Sequence, residues 1–131
     1  MKINVSDLPV EKNNHSYMIK DSKGTILSKA DYFNYKLKDF DWVLMANVET
    51  KPNYRGKGLA TRIINKLCDD IFKTTNKGVY LLVKTDNYNA ISLYRKLNFK
   101  IVKKYSIDNE PYFIIAKGNA DIDQLKKREF S

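Results

Sequence analysis

The chain has 131 residues, 43% hydrophobic and 30% charged, a balance that excludes a disordered polypeptide and provides core enough for one domain. A single cysteine, Cys68, and a single histidine, His15, exclude an intrachain disulfide, a multi-cysteine metal site and His-cluster zinc chemistry. The net charge of +9 suits polyanionic partners such as nucleic acid or phosphorylated cofactors, although the basic residues are scattered, as they are on an ordinary lysine-rich surface.

In chain order, Met1–Val5 reads as a short first strand and "SDLPVEKNN" as a polar turn with no room for a long helix. "HSYMIK" (15–20) and "TILSKADYFNYKL" (25–37) read as two strands of a hairpin, joined by "DSKG", in which Gly24 supplies a positive φ. "DFDWVLMANVET" (39–50) is a third strand whose apolar centre predicts burial on both faces. From Gly58 the period changes. Leu59, Ala60, Ile63, Ile64, Leu67, Cys68, Ile71 and Phe72 follow helical spacing, which places Cys68 on the buried stripe as a packing residue. Asn76 or Gly78 ends that helix. "VYLLV" (79–83) is a compact buried strand and "NAISLYRKLNF" (89–99) a second helix. "FKIVKKYSI" (99–107) and "EPYFIIAK" (110–117) are strands of a closing hairpin, and residues 118–131 form a polar tail after a single domain over 1–117. Strand–helix–strand over 39–83 implies a right-handed crossover, so the fold class is α/β (α+β) with a mixed central sheet. No stretch approaches the ~18 apolar residues of a membrane span, residues 1–9 lack a signal-peptide pattern, and a cytoplasmic location is the expectation.

"KPNYRGKGLA" (51–60) places two glycines and two cations at the mouth of the first helix. The first amides of a helix have no intrahelical partners and carry the positive end of its dipole. Gly56 and Gly58 leave those amides bare, and Arg55 and Lys57 add charge, an arrangement suited to a pyrophosphate. The spacing is neither that of a P-loop nor G-x-G-x-x-G. Taken alone, the loop is equally well an ordinary turn before a helix.

Two segments together carry a resemblance. "YRGKGLA", following a buried strand, resembles the signature loop of the GNAT superfamily of acyl-CoA-dependent N-acetyltransferases, with Arg55, Gly58 and Ala60 at the signature positions. "DNYNAISLYRKLNF" resembles the second signature through Asn87, Ala90 and Tyr94, with Asn98 in place of the usual glycine after Leu97. Asn is the next best residue in the left-handed conformation, so that departure is mild. The resemblance covers residues 41–117.

That resemblance implies a GNAT fold with helices on both faces of a splayed sheet, and acetyl-CoA as the acyl donor. The pantetheine arm would pair with the backbone of Val48, Glu49 and Thr50. The pyrophosphate would lie on amides of Arg55, Gly56, Lys57, Gly58, Leu59 and Ala60. Asn87 and Ala90 would border the pantetheine, and Tyr94 would face the sulfur as general acid. A lysine-like amine is about 99.9% protonated at pH 7, at a cost of ~4–5 kcal/mol before attack, so a base or water chain must accept its proton. Where some relatives carry a glutamate on the strand after the helix, this chain has Leu81, Leu82 and Val83. Glu49 is the nearest acidic candidate; Asp31, Asp41, Glu110 and a water-mediated route are the alternatives. The amide of Val48 would hold the oxyanion.

Relatives carry two helices after the first strand, and this chain has only "SDLPVEKNN" there. The shortening implies an open acceptor side, suited to an amine-bearing acceptor such as a protein terminus or lysine, on a monomer or homodimer. Tyr17, Tyr32, Phe33, Tyr35 and Trp42 either line that side or fill core left by the missing helices. Two rival readings are a toxin-like acetyltransferase acting on aminoacyl-tRNA and a non-catalytic CoA- or nucleic-acid-binding module.

Overall fold

A computed structural model describes residues 4–35 and 41–118. The strands are β1 (Glu11–Lys12), β2 (Ser16–Lys20), β3 (Ile26–Phe33), β4 (Val43–Thr50), β5 (Val79–Lys84), β6 (Lys100–Ile107) and β7 (Glu110–Lys117). The helices are α1 (Leu59–Thr74) and α2 (Tyr88–Lys96). Together the strands form one mixed seven-stranded sheet in the order β1-β2-β3-β4-β5-β7-β6. The chain-order reading of strands and helices holds over the described residues, with two differences at the start and one at the end of α1, which Thr75 caps in extended backbone in place of Asn76 or Gly78. Val5–Asp7 forms a 3-10 turn rather than the end of a strand, and the β1 pairing lies inside the stretch read as a turn. Residues 1–3 of the expected first strand, 36–37 of the expected strand 25–37, 39–40 of the expected strand 39–50 and 119–131 of the polar tail lie outside the described residues.

Helix α1 forms because its apolar stripe buries Leu59, Ile63, Ile64, Leu67, Cys68 and Ile71 against one sheet face. Helix α2 adds Ile91 and Tyr94 to the same core, beside Val79, Leu81 and Val83. Both crossovers, β4-α1-β5 and β5-α2-β6, advance the same way along the sheet. Right-handedness therefore places both helices on one face. The opposite face carries a smaller cluster of Trp42, Tyr80, Val102, Ile114 and Ala116 with no described helix in it. Helices on both faces are thus not found among the described residues. The "SDLPV" segment lies against the α1 side, where Val5, Leu8 and Val10 touch the core and Arg62 donates to the carbonyls of Val5 and Leu8.

The aromatic residues divide between core and surface. Tyr17 is fully buried and Trp42 nearly so, Trp42 packing against the backbone at Gly78 and Gly118. Of the five aromatics considered for the acceptor side, Phe33 and Tyr35 stay well exposed, beside His15 and Leu44. Cys68 is buried, and burial pushes its thiol up to about 12, which leaves it a packing residue.

The buried Tyr17 hydroxyl donates to Asp70 Oδ2 at 2.8 Å, tying β2 to α1, and Lys66 Nζ lies 3.2 Å from the same carboxylate. Although partial burial opposes it, the hydrogen bonds from Tyr17 and Lys66 hold the Asp70 carboxyl below the usual range. A lowered native pKa stabilises the fold above the unfolded value, and that contribution disappears as the pH falls through the native one. Stability should therefore drop as the pH falls below about 4. Asp70→Ala should cost about 1–3 kcal/mol at neutral pH, by stranding the Tyr17 hydroxyl, and should flatten the acid limb. Urea melts at pH 7 and pH 3 check both effects, and an unaltered acid limb would remove Asp70 as its source.

Candidate active site

β4 and β5 run parallel but pair only at Val43–Val79 and Leu44–Tyr80, after which they diverge. β5 instead pairs with β7 along its whole length, from Val79–Lys117 to Lys84–Tyr112. A gap of about 330 Å3 opens between Met45–Val48 on one side and Leu81–Lys84 on the other, with Asn87, Ala90 and Tyr94 on its walls. On the helix side it continues into a larger cleft of about 760 Å3 that runs to the mouth of α1.

Strand alternation fixes what β4 offers this cleft. The Lys51 N–H donates to Leu27 O at 2.8 Å, toward β3, so the N–H and C=O groups of Thr50 and Val48 point the other way, into the gap. Thr50 O is met there by Arg55 Nε at 3.1 Å, which folds the Arg55 side chain back along the cleft wall. The Thr50 hydroxyl is paired with Ser28 Oγ at 2.8 Å and is committed to the sheet.

The loop that opens α1 follows a 3-10 turn over Pro52–Tyr54. Gly56 and Gly58 have φ of +75° and +77°, values that side chains with a Cβ rarely adopt. A Cβ built on either would meet nothing within 4 Å, so the cavity begins where the side chains are missing. Gly58 caps the helix, and the first helical bond is Arg62 N–H to Gly58 O at 3.1 Å. The amides of Leu59, Ala60 and Thr61 therefore lack helical partners, and no acidic residue lies in the first turn. Bare amides with open space above them suit an anion, and the diphosphate of a CoA-type ligand would fit there.

Asn87 caps α2, its Oδ1 accepting the Ala90 N–H at 3.2 Å while its carbonyl accepts that of Ile91. That leaves the Asn87 amide nitrogen without a described protein partner at the cleft wall. Tyr94 is buried in the core, its ring edge-on to Phe99 at 5.4 Å between centroids, and it borders both gap and cleft. None of the described residues hydrogen-bonds its hydroxyl. Burial pushes that hydroxyl up to about 12, with the nearby Cys68 adding to the shift. Against a thiol near pKa 8.5, full proton transfer from Tyr94 would be uphill by about 5 kcal/mol, which suits a hydrogen-bond donor rather than an acid.

Of the expected site residues, Val48, Glu49, Thr50, Arg55, Gly56, Gly58, Leu59, Ala60, Asn87, Ala90 and Tyr94 all border the one cleft, while Lys57 is exposed and outside its lining. The Glu49 side chain is 69% exposed, with Lys29 Nζ 4.0 Å away. Asp31 is held by three donors, Asp41 pairs with Lys77 at the far end of β4, and Glu110 pairs with Lys84 at 3.1 Å. Tyr54, Thr61, Asn89 and Leu93 also border the cleft, and sequence reading did not single them out. Helical position points to Thr61, in the first turn after the glycine cap, and to Leu93, one turn after Ala90. Nothing local marks Tyr54 or Asn89.

A family model described as FR47-like protein matches residues 39–107, which span the β4 strand, both helices and the gap between them. An N-alpha-acetyltransferase of Saccharolobus solfataricus is 34% identical over 77 residues, covering 56% of this chain and 46% of the relative. The spermidine N(1)-acetyltransferase of Escherichia coli K12 is 45% identical over 51 residues, covering 38% of this chain and 27% of the relative. The chain thus spans less than half the length of either relative. Among solved structures, the ribosomal-protein-S18-alanine N-acetyltransferase from Escherichia coli superposes with a TM-score of 0.66 at 20% identity, covering 84% of this chain and 73% of that one. NAA60 of Arabidopsis thaliana in complex with acetyl-CoA superposes with a TM-score of 0.63 at 18% identity, covering 79% and 75%. These two likenesses concern the fold.

Proposed function

The chain belongs to the FR47-like family and has the GNAT fold, and from that premise we propose that it is an acyl-CoA-dependent N-acetyltransferase. In this reading an acetyl group passes from acetyl-CoA to a primary amine by direct attack in a ternary complex. The observation that carries it is the single cleft joining the bare amides at Gly56–Ala60 to Val48, Asn87 and Tyr94.

Acetyl-CoA supplies the acyl group already activated as a thioester; the protein's part is placement and charge. The loop amides and Arg55 hold the diphosphate. The outward backbone of Val48 and Thr50 takes the pantetheine amides as an added strand would. The Val48 N–H donates to the carbonyl oxygen as negative charge builds there. The Tyr94 hydroxyl donates to the sulfur as the C–S bond breaks and the N–C bond forms. The proton leaving the amine passes to water where the gap opens on the sheet face away from the helices, the face that carries the Glu49 carboxylate as its acceptor.

A protein or peptide amine is the favoured acceptor. The N-alpha-acetyltransferase relative supports this, and the spermidine relative makes a polyamine the comparison to run. Calorimetric titration with acetyl-CoA, followed by mass spectrometry of an N-terminal peptide panel and spermidine, tests the reading. We expect micromolar acetyl-CoA binding and a gain of one acetyl group on a primary amine. Absence of binding, or binding matched by adenosine 3′,5′-bisphosphate alone with no acetylated product, would overturn it.

A further inference from the structure

Asp31 and Ser28 are the two buried polar side chains among the described residues, and Asp31 lies where the β3–β4 register breaks. Lys29 pairs with Glu49 and Asp31 with Ala46, so Ala30 alone opposes both Asn47 and Val48. Asn47 takes the extra residue's conformation, with φ of +52°. Backbone direction shows the same break. The Val43 N–H donates to Gly78 O, toward β5, whereas the Lys51 N–H donates to Leu27 O, toward β3. Eight residues apart in an unbroken strand, these two would point the same way.

This bulge decides what faces the cleft. Val43 and Met45 bury on the helix side, and the inserted residue then puts Val48 on that side as well. Glu49 is turned to the opposite face beside Lys29, away from the anion cradle. With no bulge, Glu49 would present its backbone to the gap and its carboxylate to the helix side, where it would repel a diphosphate.

We propose that Asp31, acting through Asn47, is a positioning residue that holds this bulge and so aims Val48 and Thr50 into the cleft, an inference that rests on the acetyl-CoA reading of that cleft. Asn47 Nδ2 donates to Asp31 Oδ2 at 2.9 Å, Ser16 Oγ donates to Asp31 Oδ1 at 2.6 Å, and Lys29 Nζ lies 3.3 Å away. The carboxylate is thus fixed from both β2 and β3 before it reaches β4. Despite burial, the hydrogen bonds from Ser16, Asn47 and Lys29 keep it ionised, below the usual carboxylate range. Its hydrogen bond offsets the left-handed backbone of a non-glycine residue.

The test pairs amide hydrogen exchange in the free protein with acetyl-CoA titration. Asp31→Ala should speed exchange of the Glu49 and Lys51 amides about tenfold relative to Leu81 and Ile115, and weaken acetyl-CoA binding about tenfold. Asp31→Asn, which keeps an acceptor for Asn47, should stay within about threefold of the unaltered protein on both readouts. In an Asn47→Gly background, where glycine accepts the positive φ unaided, Asp31→Ala should weaken binding no further. Unchanged exchange at Glu49 and Lys51, or equal weakening in both backgrounds, would overturn the assignment. Should the unaltered protein bind no acetyl-CoA, the functional reading fails and the exchange ratio alone decides the bulge. If Asp31→Ala does not fold, Asn47→Ala must reproduce the exchange change, and its failure to do so overturns the proposal.

Discussion

Gly58→Val is expected to abolish acetyl-CoA binding, with no saturation up to millimolar ligand. Gly58 caps α1 with φ of +77°, and a Cβ there meets no protein atom within 4 Å. The free protein therefore has room for the valine, and that room lies over the amides of Leu59 and Ala60 where the diphosphate is proposed to sit. The left-handed backbone also makes a β-branched residue costly, by about 1–3 kcal/mol. A matched control separates the two effects. Gly24, in the β2–β3 turn, has φ of +83° and the same open space, but no part in the anion cradle. Gly24→Val should lose similar stability by thermal melting yet keep acetyl-CoA affinity within about threefold. If Gly58→Val binds as well as that control does, the diphosphate does not lie on this loop.

Residue patterns predict the elements well where one physical signal dominates. Helix α1 is legible because a single apolar stripe, Leu59 through Ile71, must be buried, and Gly58 marks its start. The hairpin turn at Gly24 and the left-handed Asn98 that ends α2 follow from local backbone chemistry. β4 is the informative failure. Its apolar centre predicts two-sided burial, and this holds at Trp42, Val43 and Met45. Past Met45 the strand loses β5 and borders a cleft, so its residues are half-exposed. The bulge at Asn47 has no signature in "ANVET", because register is set by the neighbouring strand and by a hydrogen bond that Asn47 donates to a residue 16 positions away. The side of the sheet covered by α2 was derivable from two right-handed crossovers advancing the same way; the resemblance to relatives with longer N-terminal regions pointed elsewhere. Tyr17 and Trp42 illustrate a general ambiguity, since large aromatics serve equally as core and as binding surface. Composition does not reveal that Asp70 waits beneath the Tyr17 hydroxyl.

Tyr94→Phe should lower turnover about 100-fold while acetyl-CoA affinity changes by less than about threefold, because a hydrogen bond that strengthens only as charge develops is lost from kcat rather than from ground-state binding. The same substitution should leave the melting temperature unchanged or slightly raised. The ring keeps its contacts with Phe99 and the core, and the hydroxyl it loses is buried with no described partner, so its removal relieves an unsatisfied polar group. Opposite signs on stability and rate are what a side chain retained for chemistry predicts; a purely structural tyrosine would lose stability and leave turnover alone. The pH profile adds a second criterion. Because burial holds the hydroxyl up to about 12, it remains a donor across the usable range, and Tyr94 contributes no alkaline limb to turnover below about pH 11. An alkaline limb near pH 9–10 that vanishes in Tyr94→Phe would show instead that bound ligand lowers the pKa and makes Tyr94 a true acid. Unchanged turnover in Tyr94→Phe would remove it from the reaction and return it to the core.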